Sequence, residues 1–283
     1  MHDLYRAILS RRSVRRYAQE QLDDQTLAKV RAIVAALQPL CPDNRLEVQF
    51  HDVAADEDLV DRLGGYGRIV TPPHYLAPYM ISDGHPLVDL GYRVEQIAVR
   101  LTQLGVGTCY IGSLGRENEA RERFGLPGSA RIGAFLAYGY PATSVMGRTF
   151  NAALRRIAGA TDKLPLERIF YHTTFDRPAT PPPELADLME AARCAPSAVN
   201  AQPWRFLWRD EELYLFVQRA NRRYGSGPNA DYRYYDGGIC MANVALALEA
   251  QGTKGQWQLL DPAGQGLPDG LLELEPLAKL LLE

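Results

Sequence analysis

No stretch of this 283-residue chain approaches the run of about 18–20 apolar residues that crosses a bilayer, so no membrane span is expected. Cysteine is scarce and scattered. Cys41, Cys109, Cys194 and Cys240 form neither a CxxC pair nor a Cys/His ligand pattern, which argues against a disulfide framework and a zinc module and favours a reduced compartment. The five histidines, at 2, 51, 74, 85 and 172, show no metal-ligand spacing such as HxxxH, and no metal site is expected. A GxSxG nucleophile elbow is missing as well. So is the basic-then-apolar layout of a signal peptide, and a cytoplasmic protein is the expectation. With a formal net charge of −3 the chain lacks the broad basic face of a nucleic-acid binder.

What is present begins with a local exception to that charge. "RRSVRRY" (11–17) packs Arg11, Arg12, Arg15 and Arg16 into six consecutive positions. An apolar share of 46% is enough for a core without staples.

Much of the chain is written twice. "DLGYRVEQIAVRLTQLG" (89–105) aligns without gaps on "DGGICMANVALALEAQG" (236–252), pairing Asp89 with Asp236, Gly91 with Gly238, Gln96 with Asn243 and Gly105 with Gly252. Both segments carry apolar residues at helical spacing and stop on glycine. Upstream, 22–39 and 181–197 are acidic-capped amphipathic helices that run into proline, with Leu27, Val30, Val34 and Leu37 sharing a face of the first. A strand follows each, around Leu46, Val48 and Phe50 in one and at "WRFLW" (204–208) in the other. Downstream, Gly-Leu-Pro precedes an expected strand in both 124–139 and 265–276. The copies run from 1 to 160 and from 161 to 283, joined by a Pro/Thr-rich connector. A unit of that length has the size of a subunit, which suggests two halves of a homodimer fused into one chain that could act as a monomer.

Each copy lacks what the other keeps. The arginine run has no counterpart around 172–178, and "APSAVNAQPWRF" (195–206) has none around 41–50. One complete site shared between the halves is the simplest account.

Taken alone, Arg11, Arg12, Ser13 and Arg15 suit bidentate contact with a phosphate, or equally a solvated basic turn at a helix C-terminus. Pro196, Ser197, Ala198, Asn200 and Gln202 lie on a helix-to-strand loop that offers donors to a ligand or merely stabilises its own turn. Gly105, Gly107 and Gly112 fit either a turn lying flat against a ring system or a plain helix-to-strand connection. Tyr92 and Glu95 are expected on ordinary helix surface, and Cys109 and Cys194 in packing rather than as nucleophiles.

"RRSVRRY", "APSAVNAQPWRF", a "DGG…N" helix, "GVGTCYIG" (105–112) and "YGYP" (138–141) together resemble the nitroreductase family of flavoproteins, in a form where one chain imitates the family homodimer. The resemblance implies an α+β fold, a mostly antiparallel sheet flanked by helices, with tandem pseudo-two-fold copies. It implies flavin mononucleotide (FMN) held at the interface. Arg11, Arg12, Ser13 and Arg15 would be at its phosphate end, with Arg148 as a further phosphate partner. Pro196, Ser197, Ala198 and Asn200 would run along the ribityl chain and ring, and Ile111 and Gly112 against the ring. The implied activity is electron transfer from NAD(P)H to a nitroaromatic, quinone or similar small acceptor, with no obligatory side-chain acid or base. A flavin carrier without turnover and a flavin-free relic are the competing expectations.

Overall fold

A computed structural model describes residues 3–18, 20–53, 69–157, 162–261 and 272–282. The two echoed segments form its central helices. α3 (Pro86–Gln103) starts on a proline at its first turn and buries Leu90, Val94, Ile97 and Leu101. α7 (Tyr232–Gln251) buries residues on all sides and ends at Gly252 in the left-handed conformation. Both begin a few residues before the segments expected from sequence, at Pro86 and Tyr232.

Around this pair stand α1 (Asp3–Ser10), α2 (Asp24–Ala35), α4 (Glu117–Phe124), α5 (Val145–Ile157) and α6 (Pro183–Cys194). α2 starts where expected because the Asp23 carboxylate accepts from the Thr26 N–H at 2.8 Å.

Two sheets flank the helices. β1 (Arg45–Asp52), β2 (His74–Ile81), β3 (Gly107–Gly112) and β4 (Ala134–Gly139) form the first, in the order β1-β2-β4-β3. β5 (Phe170–His172), β6 (Trp204–Arg209), β7 (Glu212–Gln218), β8 (Gly255–Leu259) and β9 (Leu274–Leu282) form the second, in the order β5-β6-β7-β9-β8. Without the short β5, the two orders coincide. Helix, two strands, helix and two strands thus occur twice in one chain. Every named pairing is antiparallel except β5 with β6, so the expected mostly antiparallel sheet is in fact two.

The expected seam at 160–161 and the second Gly-Leu-Pro (266–268) lie outside the described residues. Among the described residues no helix is long and apolar enough to cross a membrane.

Candidate functional site

The arginine run leaves α1 in extended form and lies along the edge of the first sheet. The Val14 N–H donates to the Thr108 carbonyl at 2.8 Å, and Ser13 bridges Thr108 on β3. From α5, the buried Asn151 carboxamide clamps the run: its oxygen accepts from the N–H groups of Arg15 and Arg16 at 2.9 and 3.0 Å. Nothing in the sequence pattern pointed to Asn151.

Opposite stands the loop after α6. Pro196 follows the helix end, and Val199, Asn200 and Gln202 adopt left-handed backbone at φ 47°, 52° and 48°. For a β-branched valine that conformation is strained. The Ala198 N–H donates to Asp236 on α7 at 2.9 Å, and the Ser197 hydroxyl accepts from the Gln202 N–H at 3.0 Å. Asn200 and Gln202 turn their amides towards the connector, both donating to the Asp162 carbonyl, at 3.1 and 3.0 Å. These polar side chains therefore shape the loop and seat the connector on it.

Between the arginine run and this loop opens a cleft of about 880 Å³. That volume is ample for a small-molecule site. Nine of the residues singled out from sequence line it: Arg11, Arg12, Ser13, Arg15, Gly112, Pro196, Ser197, Ala198 and Asn200. Ile111 and Arg148 are not among the lining residues. Ile111 is fully buried in a cluster with Tyr75 and Phe135, and Arg148 is exposed on α5.

The cleft is cationic in an acidic protein. Arg11, Arg12, Arg15, Lys163, Arg193 and Arg223 line it, with Asp236 as the lining carboxylate. Arg11 is only 6% exposed, and its Nε and Nη1 have no hydrogen-bond partner, nor does the buried Nη1 of Arg15. Beneath Arg11 lies Glu95, which is fully buried on α3 and not the surface residue expected; its Oε1 is 3.6 Å from Arg11 Nε. The Tyr110 hydroxyl donates to the other carboxylate oxygen at 2.5 Å. Burial pushes the Glu95 carboxyl up, while Arg11 and Tyr110 pull it down. Asp236 is pushed up to about 7 by burial, against the bonds from Tyr224 and Ala198. Burial also pushes up the thiols of Cys109 and Cys194, both of which line the cleft.

Beside the first turns of both helices is a smaller hollow of about 250 Å³. His85 and Val88 line it where Tyr232 and Tyr235, which stand at the same offset just before the aligned segments, line the cleft. Arg131 is the cation lining that hollow, and it is ion-paired to Glu117 at 3.1 Å and Asp231 at 3.6 Å.

A family model described as "Putative TM nitroreductase" matches residues 3–247. The chain belongs to this nitroreductase family. Its fold is shared with a Thermotoga maritima protein described as a "putative nitroreductase", whose crystal structure aligns over 100% of this chain and 94% of its own, with a TM-score of 0.59 at 18% identity. Nitroreductase A from Vibrio parahaemolyticus aligns over 50% of this chain and 69% of its own, with a TM-score of 0.45 at 18% identity. An FMN-dependent nitroreductase from Clostridium difficile aligns over 47% and 85%, with a TM-score of 0.41 at 18% identity. No curated protein matches the chain.

In this nitroreductase-family cleft, sequence reasoning missed Lys163, Tyr110, Tyr224, Tyr232, Tyr235, Asp236 and Arg223 as lining residues. A signal existed for Asp236, which heads the second echoed helix. Lys163 had none, since it sits in the Pro/Thr-rich connector between the copies.

Proposed function

We propose that the cleft holds FMN and that the protein is an FMN-dependent oxidoreductase, passing electrons from NADH or NADPH to a nitroaromatic, a quinone or a similar small acceptor. The observation that carries this is Arg11, buried in the cleft wall, whose Nη1, like the buried Nη1 of Arg15, lacks a hydrogen-bond partner while its Nε faces Glu95 at 3.6 Å. Buried donors are normally satisfied, and an unmet charged donor is costly. A phosphate matches the planar fork of the guanidinium and supplies the missing acceptors.

The residues present fit the group. Arg11, Arg12, Ser13 and Arg15 would hold its phosphate end. Pro196, Ser197, Ala198 and Asn200 would lie along the ribityl chain and ring, with Gly112 on the opposite wall. Bound flavin supplies the redox chemistry, taking a hydride and returning electrons to an acceptor. The chain's own part is to bind and orient: Asp236 holds the Ala198 N–H, and Asn151 fixes the backbone of Arg15 and Arg16.

On this reading the halves 1–160 and 161–283 are fused subunits that keep one site, in a cytoplasmic protein able to act as a monomer. The small hollow with its ion-paired Arg131 supports loss of the second site.

The test is the visible spectrum of the purified chain after loading with FMN and removing the excess, with Arg11→Ala alongside. About one flavin per chain, lost in the variant, is expected, followed by NAD(P)H oxidation. Two flavins would overturn the single site, and none would overturn the flavin reading. Binding without NAD(P)H oxidation would make the protein a carrier.

A further inference from the structure

Both neighbours of Lys163 are pinned. The Asp162 carbonyl accepts from Asn200 and Gln202, and the Leu164 N–H donates to Gln202 Oε1 at 2.9 Å. Gln202 is itself 3% exposed. The backbone on either side of Lys163 is thereby fixed against the loop, and its side chain enters the cleft beside Arg11 and Arg12. Nζ donates to the Ala195 carbonyl at 2.5 Å, which leaves two of its three protons for other partners.

Such a placement is unfavourable by itself. Burial lowers the Lys163 ammonium to about 8, with Arg11 adding to the effect. Arg12 lowers it as well, whereas Glu95 on α3 and Cys194 at the end of α6 raise it. Lys163 in turn acts on Asp236 and Cys240 of α7. Of the two carboxylates, Glu95 is engaged by Arg11 and Tyr110, and Asp236 by Ala198 and Tyr224. Three cations therefore converge on a wall whose anions are already committed.

We propose that Lys163, carried by the connector between the halves, is a phosphate ligand that completes with Arg11 and Arg12 a three-cation cradle for the flavin's phosphate monoester. This rests on the flavin reading above and extends it, because the site then draws on both halves and on the segment that joins them.

Flavin fluorescence titrations of the full chain test it, with FMN and riboflavin as ligands and inorganic phosphate as competitor, on wild type, Lys163→Met and Lys163→Arg. Lys163→Met should weaken FMN at least about tenfold, the worth of one charge-assisted hydrogen bond, and leave riboflavin unchanged. Lys163→Arg should recover most of the FMN affinity. In wild type, the FMN-to-riboflavin affinity ratio should fall as pH rises through about 8, where free Lys163 loses its proton, and that fall should vanish in Lys163→Met. Equal weakening of both ligands would mean that Lys163 only props the Ala195 loop and would overturn the proposal, as would no change at all. Inorganic phosphate that binds as tightly as FMN and loses affinity in Lys163→Met would reassign the cradle to free phosphate. Wild type that binds neither flavin would instead defeat the flavin reading itself.

Discussion

Gly91 and Gly238 make the same contact in opposite directions. A Cβ on Gly91 would lie 2.1 Å from the Tyr235 carbonyl oxygen, and one on Gly238 would lie 1.9 Å from the Val88 carbonyl oxygen. Gly91 aligns with Gly238, and at the same offset Val88, just before the aligned segment, meets Tyr235, so the two contacts exchange when the halves do. That reciprocity is what an isologous two-fold interface imposes. Here it lies within one chain, where α3 crosses α7.

Neither glycine can take a side chain without parting the helices, since the obstacle is backbone. Gly91→Ala and Gly238→Ala should each destabilise by about 3 kcal/mol, at the upper end for overpacking, read by urea denaturation. Both sites lie at one crossing, so the double variant should cost less than the sum. Unchanged stability in either single variant would show that the helices can separate freely there.

The echo was legible because these positions are constrained by backbone contact, which leaves glycine little alternative. Asp89 and Asp236 were legible for a related reason: each caps the loop beyond a proline, at Leu40 and Ala198. The Ile111 side chain is buried beside Tyr75 and Phe135 and is not among the cleft-lining residues. Tyr110 and Gly112 line the cleft, and the residue between them on β3 faces the other way. Glu95 looked like surface because a carboxylate in an amphipathic helix usually is. Its burial depends on Arg11 and Tyr110, which approach from other elements, and helical spacing carries no trace of them.

Asp236 sets a pH dependence. Folding raises its pKa to about 7, from about 3.9 in an unfolded chain. Between those values the folded protein keeps a proton that the unfolded chain has released. Stability from this group is therefore greatest at the acid end, falls as pH rises from about 4 to about 7, and then levels. The full swing is up to about 4 kcal/mol. Asp236→Asn should remove it, so wild type minus variant in denaturant titrations should slope downward across that window. A flat difference would mean that Asp236 is charged throughout.

Arg11 and Glu95 are coupled beneath the cleft. Arg11→Met would leave the Glu95 carboxylate fully buried with only the Tyr110 hydroxyl bond of those described here, and should cost about 3 kcal/mol near neutral pH. Arg11→Met combined with Glu95→Gln should return to within about 1 kcal/mol of wild type, because no charge is then stranded. A double variant whose loss equals the sum of the single losses would show that the 3.6 Å approach contributes nothing.

Gly107 seats the arginine run. A Cβ there would meet Val14 Cγ2 at 2.6 Å and Pro141 Cγ at 3.1 Å, and a β-branched valine has little rotamer freedom with which to retreat. Gly107→Ala should therefore push Val14 outward and strain its 2.8 Å bond to Thr108. Ser13 and Arg15 flank Val14 and line the cleft, so they move with it. FMN affinity should fall on the order of tenfold, the worth of one misplaced charge-assisted hydrogen bond. Adding Val14→Ala makes room for the new methyl group and should restore affinity even if stability stays low. If Gly107→Ala lowers stability but leaves FMN affinity intact, the seat on β3 does not position the arginines, and Asn151 alone holds them.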